Sequence, residues 1–303
     1  MSSVLRSPSL SERLGAGREF PLLIVLVGFA VMYVPVYVWA ANWLWQTEEH
    51  GHGALVLAVV GWLFWRVHRP LTELPAASAP VPGWLLFAFG LLLYLFGRVF
   101  DNISILLFGS QPFVVAGVLL LIKGPAALRL AWFPLLYFVF MVPLPGILVD
   151  GITGPLKQWI SVIVVEFLYH VGYPISRTGV ILTIGQYQML VADACSGLHS
   201  MYSLSALGTL FMYIMARASR LHNALMLVSI LPIAFAANIV RVIALVLITY
   251  HLGDEAGQGF LHGAAGIVLM LVALLFFFAL DALLDRVLQR HQPTVAGADG
   301  GAR

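Results

Sequence analysis

The segment 225–248 reads LMLVSILPIAFAANIVRVIALVLI and decides the fold class. It is apolar apart from Ser229, Asn238 and Arg241. It is also long enough to cross the hydrocarbon core of a bilayer, which takes about 20 residues of α-helix. Similar apolar runs recur along nearly the whole chain, whereas membrane β-barrel strands would give shorter, alternating segments. The sequence therefore predicts an all-α polytopic membrane protein.

The composition agrees with a membrane protein. The chain is 61% hydrophobic and only 10% charged, whereas soluble domains are roughly 45–50% apolar and about 25% charged. The net charge of +2 is too small to indicate nucleic-acid binding. The single cysteine excludes a disulfide within the chain.

Hydropathy predicts about eight membrane spans between a polar N-terminal segment, 1–19, and a polar tail, 286–303, that is expected to be disordered. The membrane domain is accordingly predicted to cover 20–285. The predicted spans are 20–41, 53–65, 83–97, 103–122, 130–148, 197–215, 225–248 and 261–284.

The distribution of basic residues predicts the orientation of these spans. If the N-terminus is cytoplasmic, twelve of the sixteen Lys and Arg residues fall on the cytoplasmic side, as the positive-inside rule requires. An even number of spans then also places the C-terminus in the cytoplasm.

The stretch between predicted spans five and six is not expected to cross the membrane. It opens with a turn rich in Pro and Gly, and continues with an apolar segment, 156–170, that carries Lys157 and Glu166 and suits an interfacial helix. The runs GVILTI and YQMLVA on either side of Gly185 predict a short β-hairpin. Both elements are expected on the periplasmic side.

Three polar residues from three different spans are predicted to meet at the outer membrane face. Cys195 precedes span six, Arg241 lies toward the outer end of span seven, and His262 opens span eight. An arginine within a span costs at least about 2.5–3.5 kcal/mol on insertion scales, which favours a functional role over snorkelling to the headgroups. Asn238 lies one turn earlier on the same helical face and is suited to orient the guanidinium or to offer its own amide.

Cys195 has two interpretations. It lies among small residues, which is typical of close helix packing in membranes. It also lies at a helix N-terminus with a predicted arginine and histidine nearby, which favours the reactive thiolate. Ser196 and the free N–H groups after the cysteine are candidate donors to an oxyanion. His262 is the candidate general base, although it also suits an ordinary interfacial position, and His199, four residues after Cys195, is the alternative base.

These motifs resemble the exosortase/archaeosortase family of membrane cysteine transpeptidases. The resemblance rests on ACSGLHS at 194–200, NIVR at 238–241 and LHGAAG at 261–266, together with EEHGHGALV at 48–56. It implies that Cys195 is the nucleophile, His262 the proton-transfer group and Arg241 the electrostatic partner.

The resemblance also implies a substrate, a location and a chemistry. The substrates would be secreted proteins with a C-terminal sorting signal of the PEP-CTERM type: a short Pro-Glu-Pro motif, a hydrophobic helix and a basic tail. Cleavage would proceed through a thioacyl enzyme at the periplasmic face of the bacterial inner membrane, in association with exopolysaccharide or biofilm production. No cofactor is implied.

The motif EEHGHG also has the residue types of a metal site. Four ligating groups within five residues rarely satisfy one tetrahedral site, however, and the sequence offers no second cluster. We therefore expect no metal, and we expect His50 and His52 to contact the substrate at the outer face.

Two other functions remain open at this point. A transporter would use Arg241 to bind an anionic solute and His262 to relay protons, but the chain has no internal repeat of the kind common in transporters. A non-catalytic subunit of an exopolysaccharide export system would not need Cys195 for substrate processing.

Overall fold

The computed structural model describes residues 10–47, 50–144, 146–190, 197–217, 219–253 and 260–289. They form two compact units, Met1–Pro143 and Leu144–Arg303. Among these described residues, six helices are long and apolar enough to cross a membrane, and two shorter apolar helices, Trp132–Met141 and Tyr202–Met215, lie within predicted spans five and six. The fold is therefore that of an all-α polytopic membrane protein, and the count of eight spans stays a prediction.

In the first unit, the part of the chain that the structure describes forms six helices. Their bounds are α1, Leu10–Asn42; α2, Gly53–Glu73; α3, Pro80–Val99; α4, Ser104–Ile122; α5, Pro125–Leu130; and α6, Trp132–Tyr137. A 3-10 turn, Leu44–Gln46, follows α1, and a second, Phe138–Met141, follows α6.

Helices α3 and α4 form the closest pair in this unit. Gly83, Gly90 and Gly97 recur every seven residues on α3 and are buried. They face Leu121, Val114 and Leu107, which recur every seven residues on α4. A Cβ atom on Gly90 would lie only 2.8 Å from the backbone nitrogen of Val114. The glycines therefore permit the close backbone approach that is typical of membrane helices.

Two hydrogen bonds between side chains join α1 to α4. The hydroxyls of Tyr33 and Ser110 are 2.8 Å apart. The Tyr37 hydroxyl donates to Oε1 of Gln111 at 2.9 Å. Polar side chains within apolar helices find such partners because lipid offers none.

Predicted span five is interrupted. Helix α5 ends at Leu130, α6 ends at Tyr137, and the 3-10 turn ends at Met141. The sequence continues with Pro143 and Pro145, and proline supplies no N–H and disfavours helix at the preceding residue. The apolar composition of 130–148 was therefore not sufficient to predict one continuous helix.

In the second unit, the described residues form four helices and a small sheet. The helices are α7, Gly146–His170; α8, Gly197–Met215; α9, Arg220–Leu252; and α10, Phe260–Gln289. The strands are β1, Ile175–Thr178; β2, Ile181–Ile184; and β3, Tyr187–Leu190. The bounds of α8 equal those of predicted span six. Helix α7 begins ten residues earlier than the predicted interfacial helix. It includes Gly151, Gly154 and Pro155, which the sequence assigned to a turn.

Helices α8, α9 and α10 pack against one another. Their shared apolar core includes Leu204 and Phe211 of α8, Ile230 of α9, and Ala273 and Phe277 of α10. Because the connections between them are short, the three helices alternate in direction. The start of α8, the end of α9 and the start of α10 therefore lie at one end of this bundle.

The three strands form an antiparallel sheet in the order β1-β2-β3. Strands β2 and β3 are the hairpin expected around Gly185. Gly179 and Gly185 have φ angles of +63° and +57°, the left-handed conformation that two-residue hairpin turns require. One face of the sheet packs on α7 and α9, where Leu182 and Ile184 contact a cluster that includes Val164 and Val246.

Candidate functional site

Helix α9 carries a buried polar face. Asn238, Arg241, Leu245 and Thr249 follow at intervals of three or four residues and therefore share one side of the helix. The exposed fraction is 2% for Asn238, 5% for Arg241 and 0% for Thr249. Asn238 thus lies beside Arg241 as the sequence predicted. Burial of an arginine within a span argues against simple snorkelling to a lipid surface.

Part of this face has unused hydrogen-bonding capacity. Oδ1 of Asn238 and Oγ1 of Thr249 are buried and have no hydrogen-bond partner among the residues that the structure describes. A buried polar atom without a partner costs about 1–3 kcal/mol. The face is therefore suited to a polar ligand or to polar main-chain groups of a peptide.

Strand β3 leads toward this polar face. The side chain of Met189 packs against Leu245, and the Tyr187 hydroxyl lies beside Gly253 at the end of α9. The strand therefore runs along α9 toward Arg241, which is one helical turn, about 6 Å, beyond Leu245. Cys195 follows Met189 by six residues, and six residues can span about 20 Å. The connection is therefore long enough for Cys195 to reach Arg241.

The other sequence-predicted residues are described only in part. Cys195 and Ser196 lie outside the described residues. His199 lies in the first turn of α8 and His262 in the first turn of α10, but their side chains are also outside the described set. The structure thus brings Arg241 and Asn238 together and leaves the contacts of the other four side chains as predictions.

An ionic cluster joins the three helices at the opposite end of the bundle. Nη2 of Arg217 lies 2.5 Å from Oδ2 of Asp281, and Nε of Arg217 donates to Oδ1 of Asp281 at 3.1 Å. Nε2 of His222 lies 2.8 Å from the same Oδ1. The hydrogen bonds from Arg217 to Asp281 raise the pKa of the guanidinium. The cluster therefore fixes the start of α9 against the late part of α10.

The cluster defines how far along the bundle the candidate residues lie. Arg241 follows His222 by nineteen residues, and His262 precedes Asp281 by nineteen residues. At about 1.5 Å per residue, both are about 28 Å from the cluster. Because α9 and α10 run in opposite directions, Arg241 and the backbone of His262 lie at about the same level.

Comparison with known protein families shows to which family the chain belongs. The family described as transmembrane exosortase (Exosortase_EpsH) matches residues 43–279. The chain belongs to the exosortase family. No curated protein and no solved structure gives a match. The resemblance deduced from the motifs is thereby confirmed, and membership implies processing of sorting signals by a multi-pass membrane protein.

All the candidate residues of this exosortase fall within the matched range. Those from Cys195 to His262 belong to the second unit, whereas His50 and His52 belong to the first. Nδ1 of His50 lies 3.2 Å from the Thr47 hydroxyl, and His52 directly precedes α2. A substrate contact by these two histidines remains a prediction.

Sequence reasoning missed three residues of the exosortase bundle. Thr249 continues the spacing of Asn238 and Arg241 along α9, so helical periodicity alone carried a signal for it. His222 and Asp281 carried a weaker signal, an acidic residue within predicted span eight. His222 and Asp281 are 59 residues apart in the sequence, so their contact depends on helix packing.

Proposed function

We propose that this exosortase is a membrane cysteine protease and transpeptidase that cleaves C-terminal sorting signals of the PEP-CTERM type. Its substrates are secreted proteins, cleavage takes place at the periplasmic face of the inner membrane, and the reaction is coupled to exopolysaccharide machinery. The observation that carries the proposal is the burial of Arg241 on a polar face of α9, at the level where α10 begins, within a chain of the exosortase family.

The chemistry assigns one role to each candidate residue. The Cys195 thiolate attacks the scissile carbonyl, and His262 accepts the thiol proton. Collapse of the tetrahedral intermediate breaks the C–N bond, and His262 gives the proton to the leaving amine. The product is a thioester on Cys195 and a released anchor helix. Water or a second amine then resolves the thioester.

The remaining residues support this reaction. Arg241 stabilises the oxyanion or binds the substrate glutamate, for which a guanidinium fork is well suited. Asn238 orients Arg241, and Ser196 supplies a further oxyanion donor. His199 is the alternative base, and His50 and His52 contact the substrate. Oδ1 of Asn238 is buried without a partner among the described residues, so this acceptor is available to a polar group of the substrate.

A size assay on a reporter protein tests the proposal. The reporter carries a Pro-Glu-Pro sorting signal and a tag, and is expressed together with the exosortase. We expect Cys195→Ala to lower processing at least about 1,000-fold, the order of effect seen when a catalytic nucleophile is removed. Arg241→Ala and His262→Ala should also lose processing. Each variant must match the wild-type protein in abundance. Unchanged processing by Cys195→Ala would contradict the proposal.

A further inference from the structure

One edge of strand β3 pairs with no other strand in the part of the chain that the structure describes, and is called its free edge below. The two-residue turn at 185–186 makes Ile184 and Tyr187 a hydrogen-bonded pair, as is usual for hairpins of this type. Because pairs alternate along an antiparallel ladder, the N–H and C=O groups of Gln188 and Leu190 point away from β2. No described residue forms a strand on that side of β3. These main-chain groups can therefore pair with another strand.

The composition of β3 does not protect this edge. Natural proteins usually guard exposed edges with charges, prolines or bulges. Strand β1, at the opposite edge of the sheet, carries the exposed Arg177, whose Nη1 donates to the carbonyl of Gly179. Strand β3 reads YQML, with no charged residue and no proline. The unprotected edge is therefore the one nearer the polar face of α9.

The position of β3 identifies what the edge would bind. Its Tyr187 and Met189 side chains are part-buried against the cluster formed with α9, so the strand is held firmly on that helix. Leu190 is followed five residues later by Cys195. An extended peptide lying along β3 would thus be held within five residues, along the chain, of the candidate nucleophile.

We propose that the polypeptide substrate binds as a fourth strand along the free edge of β3. Main-chain hydrogen bonds to Gln188 and Leu190 would hold the substrate extended, as in other peptide-binding proteins that add a strand to a sheet. This inference rests on the proposed function for the identity of the substrate. It adds a binding site that is separate from the catalytic groups.

Proline substitution tests the proposal at one main-chain group. Gln188→Pro removes an N–H that points away from β2, so the β2-β3 ladder is retained. Arg177→Pro likewise removes an N–H that points away from β2, on the opposite edge, and is the control for loss of an edge N–H. We expect Gln188→Pro to lower kcat/KM for the reporter about tenfold or more, mainly through a higher KM, because a hydrogen bond is lost and pairing is obstructed. Arg177→Pro should retain wild-type kcat/KM.

Thermal unfolding shows whether the two proline variants are equally folded. Equal kcat/KM values for the two variants, with both folded, would overturn the proposal. Gln188→Ala, which keeps the N–H, should process the reporter faster than Gln188→Pro. If Gln188→Ala is as slow as Gln188→Pro, the side chain rather than the strand edge binds the substrate.

Photo-crosslinking tests substrate binding at β3 independently of the proposed catalytic role of Cys195. A photoreactive amino acid is placed at position 188 or 177 in the Cys195→Ala variant. The crosslinking measurement requires no catalysis. We expect the reporter to crosslink at 188 at least tenfold more than at 177. Equal crosslinking at both positions would overturn strand addition, whatever the catalytic role of Cys195.

Discussion

Nε2 of His222 lies 2.8 Å from Oδ1 of Asp281, and both side chains are buried. The same carboxylate also binds Arg217, which lies two residues after the end of α8. One aspartate thus links the ends of three helices. Because Arg241 and His262 lie equally far from this link along α9 and α10, the cluster sets the helix register on which the candidate site depends.

Replacement of Asp281 is expected to weaken the bundle. Asp281→Ala leaves His222 and Arg217 without their shared partner, so we expect a loss of about 1–3 kcal/mol in the free energy of unfolding. Asp285 also faces Arg217, at 3.4 Å, but is more exposed. Asp285→Ala is therefore the matched control and should cost less than about 1 kcal/mol. Thermal unfolding in detergent measures both, and equal effects of the two substitutions would argue against the central role of Asp281.

The guanidinium of Arg241 is expected to be irreplaceable by an ammonium group. Arg241→Lys keeps the positive charge but loses the planar fork that binds two oxygens at once. We expect kcat/KM for the reporter to fall about 100-fold or more, with little change in protein abundance. Arg220, at the exposed start of the same helix, provides the control Arg220→Lys, which should process normally. Full activity of Arg241→Lys would show that only the charge is needed.

The glycines of α3 are expected to be necessary for its contact with α4. A Cβ on Gly90 would meet the backbone of Val114, which cannot move without shifting α4. Gly90→Ala should therefore destabilise the first unit by about 1–3 kcal/mol. Gly109→Ala, on α4, meets nothing within 4 Å and should be neutral or slightly stabilising. Similar melting temperatures for both variants would contradict the close packing of these helices.

Arg241 is expected to favour the thiolate form of Cys195. Because the chain contains one cysteine, alkylation with iodoacetamide reports on this thiol alone. We expect Arg241→Ala to slow alkylation at pH 7 about tenfold, the ratio given by about 1.4 kcal/mol of lost charge stabilisation. Unfolded wild-type and variant proteins should react at equal rates. If the folded proteins also react equally, Arg241 does not act on the sulfur.

Local patterns in the sequence were sufficient to predict features that depend on a single helix or hairpin. The apolar run 197–215 gave the bounds of α8, and the β-prone runs around Gly185 gave the hairpin, because hydropathy and turn residues act over short distances. The same local signals were insufficient at Pro155, which composition assigned to a turn and the structure places inside α7. Propensity is a weak signal at single positions, so the glycines and the proline alone did not locate the start of α7.

Only those features of the candidate site that follow from the spacing of residues along one helix could be predicted from the sequence. An arginine and an asparagine three residues apart in an apolar helix indicated a shared functional face, and both are buried. The free edge of β3 depends on which strands pair, and the ion cluster depends on contacts between Arg217 and Asp281, 64 residues apart. Neither follows from periodicity, because both are set by the packing of distant segments.

The most direct test of the account is mass spectrometry of an acyl-enzyme trapped by rapid acid quench during reporter cleavage. We predict that the peptide containing Cys195 gains the mass of the substrate's acyl fragment and loses it again on treatment with hydroxylamine. The adduct should be absent from the Cys195→Ala variant. Reporter cleavage by Cys195→Ala at the wild-type rate, with no adduct on the wild-type cysteine, would contradict the account.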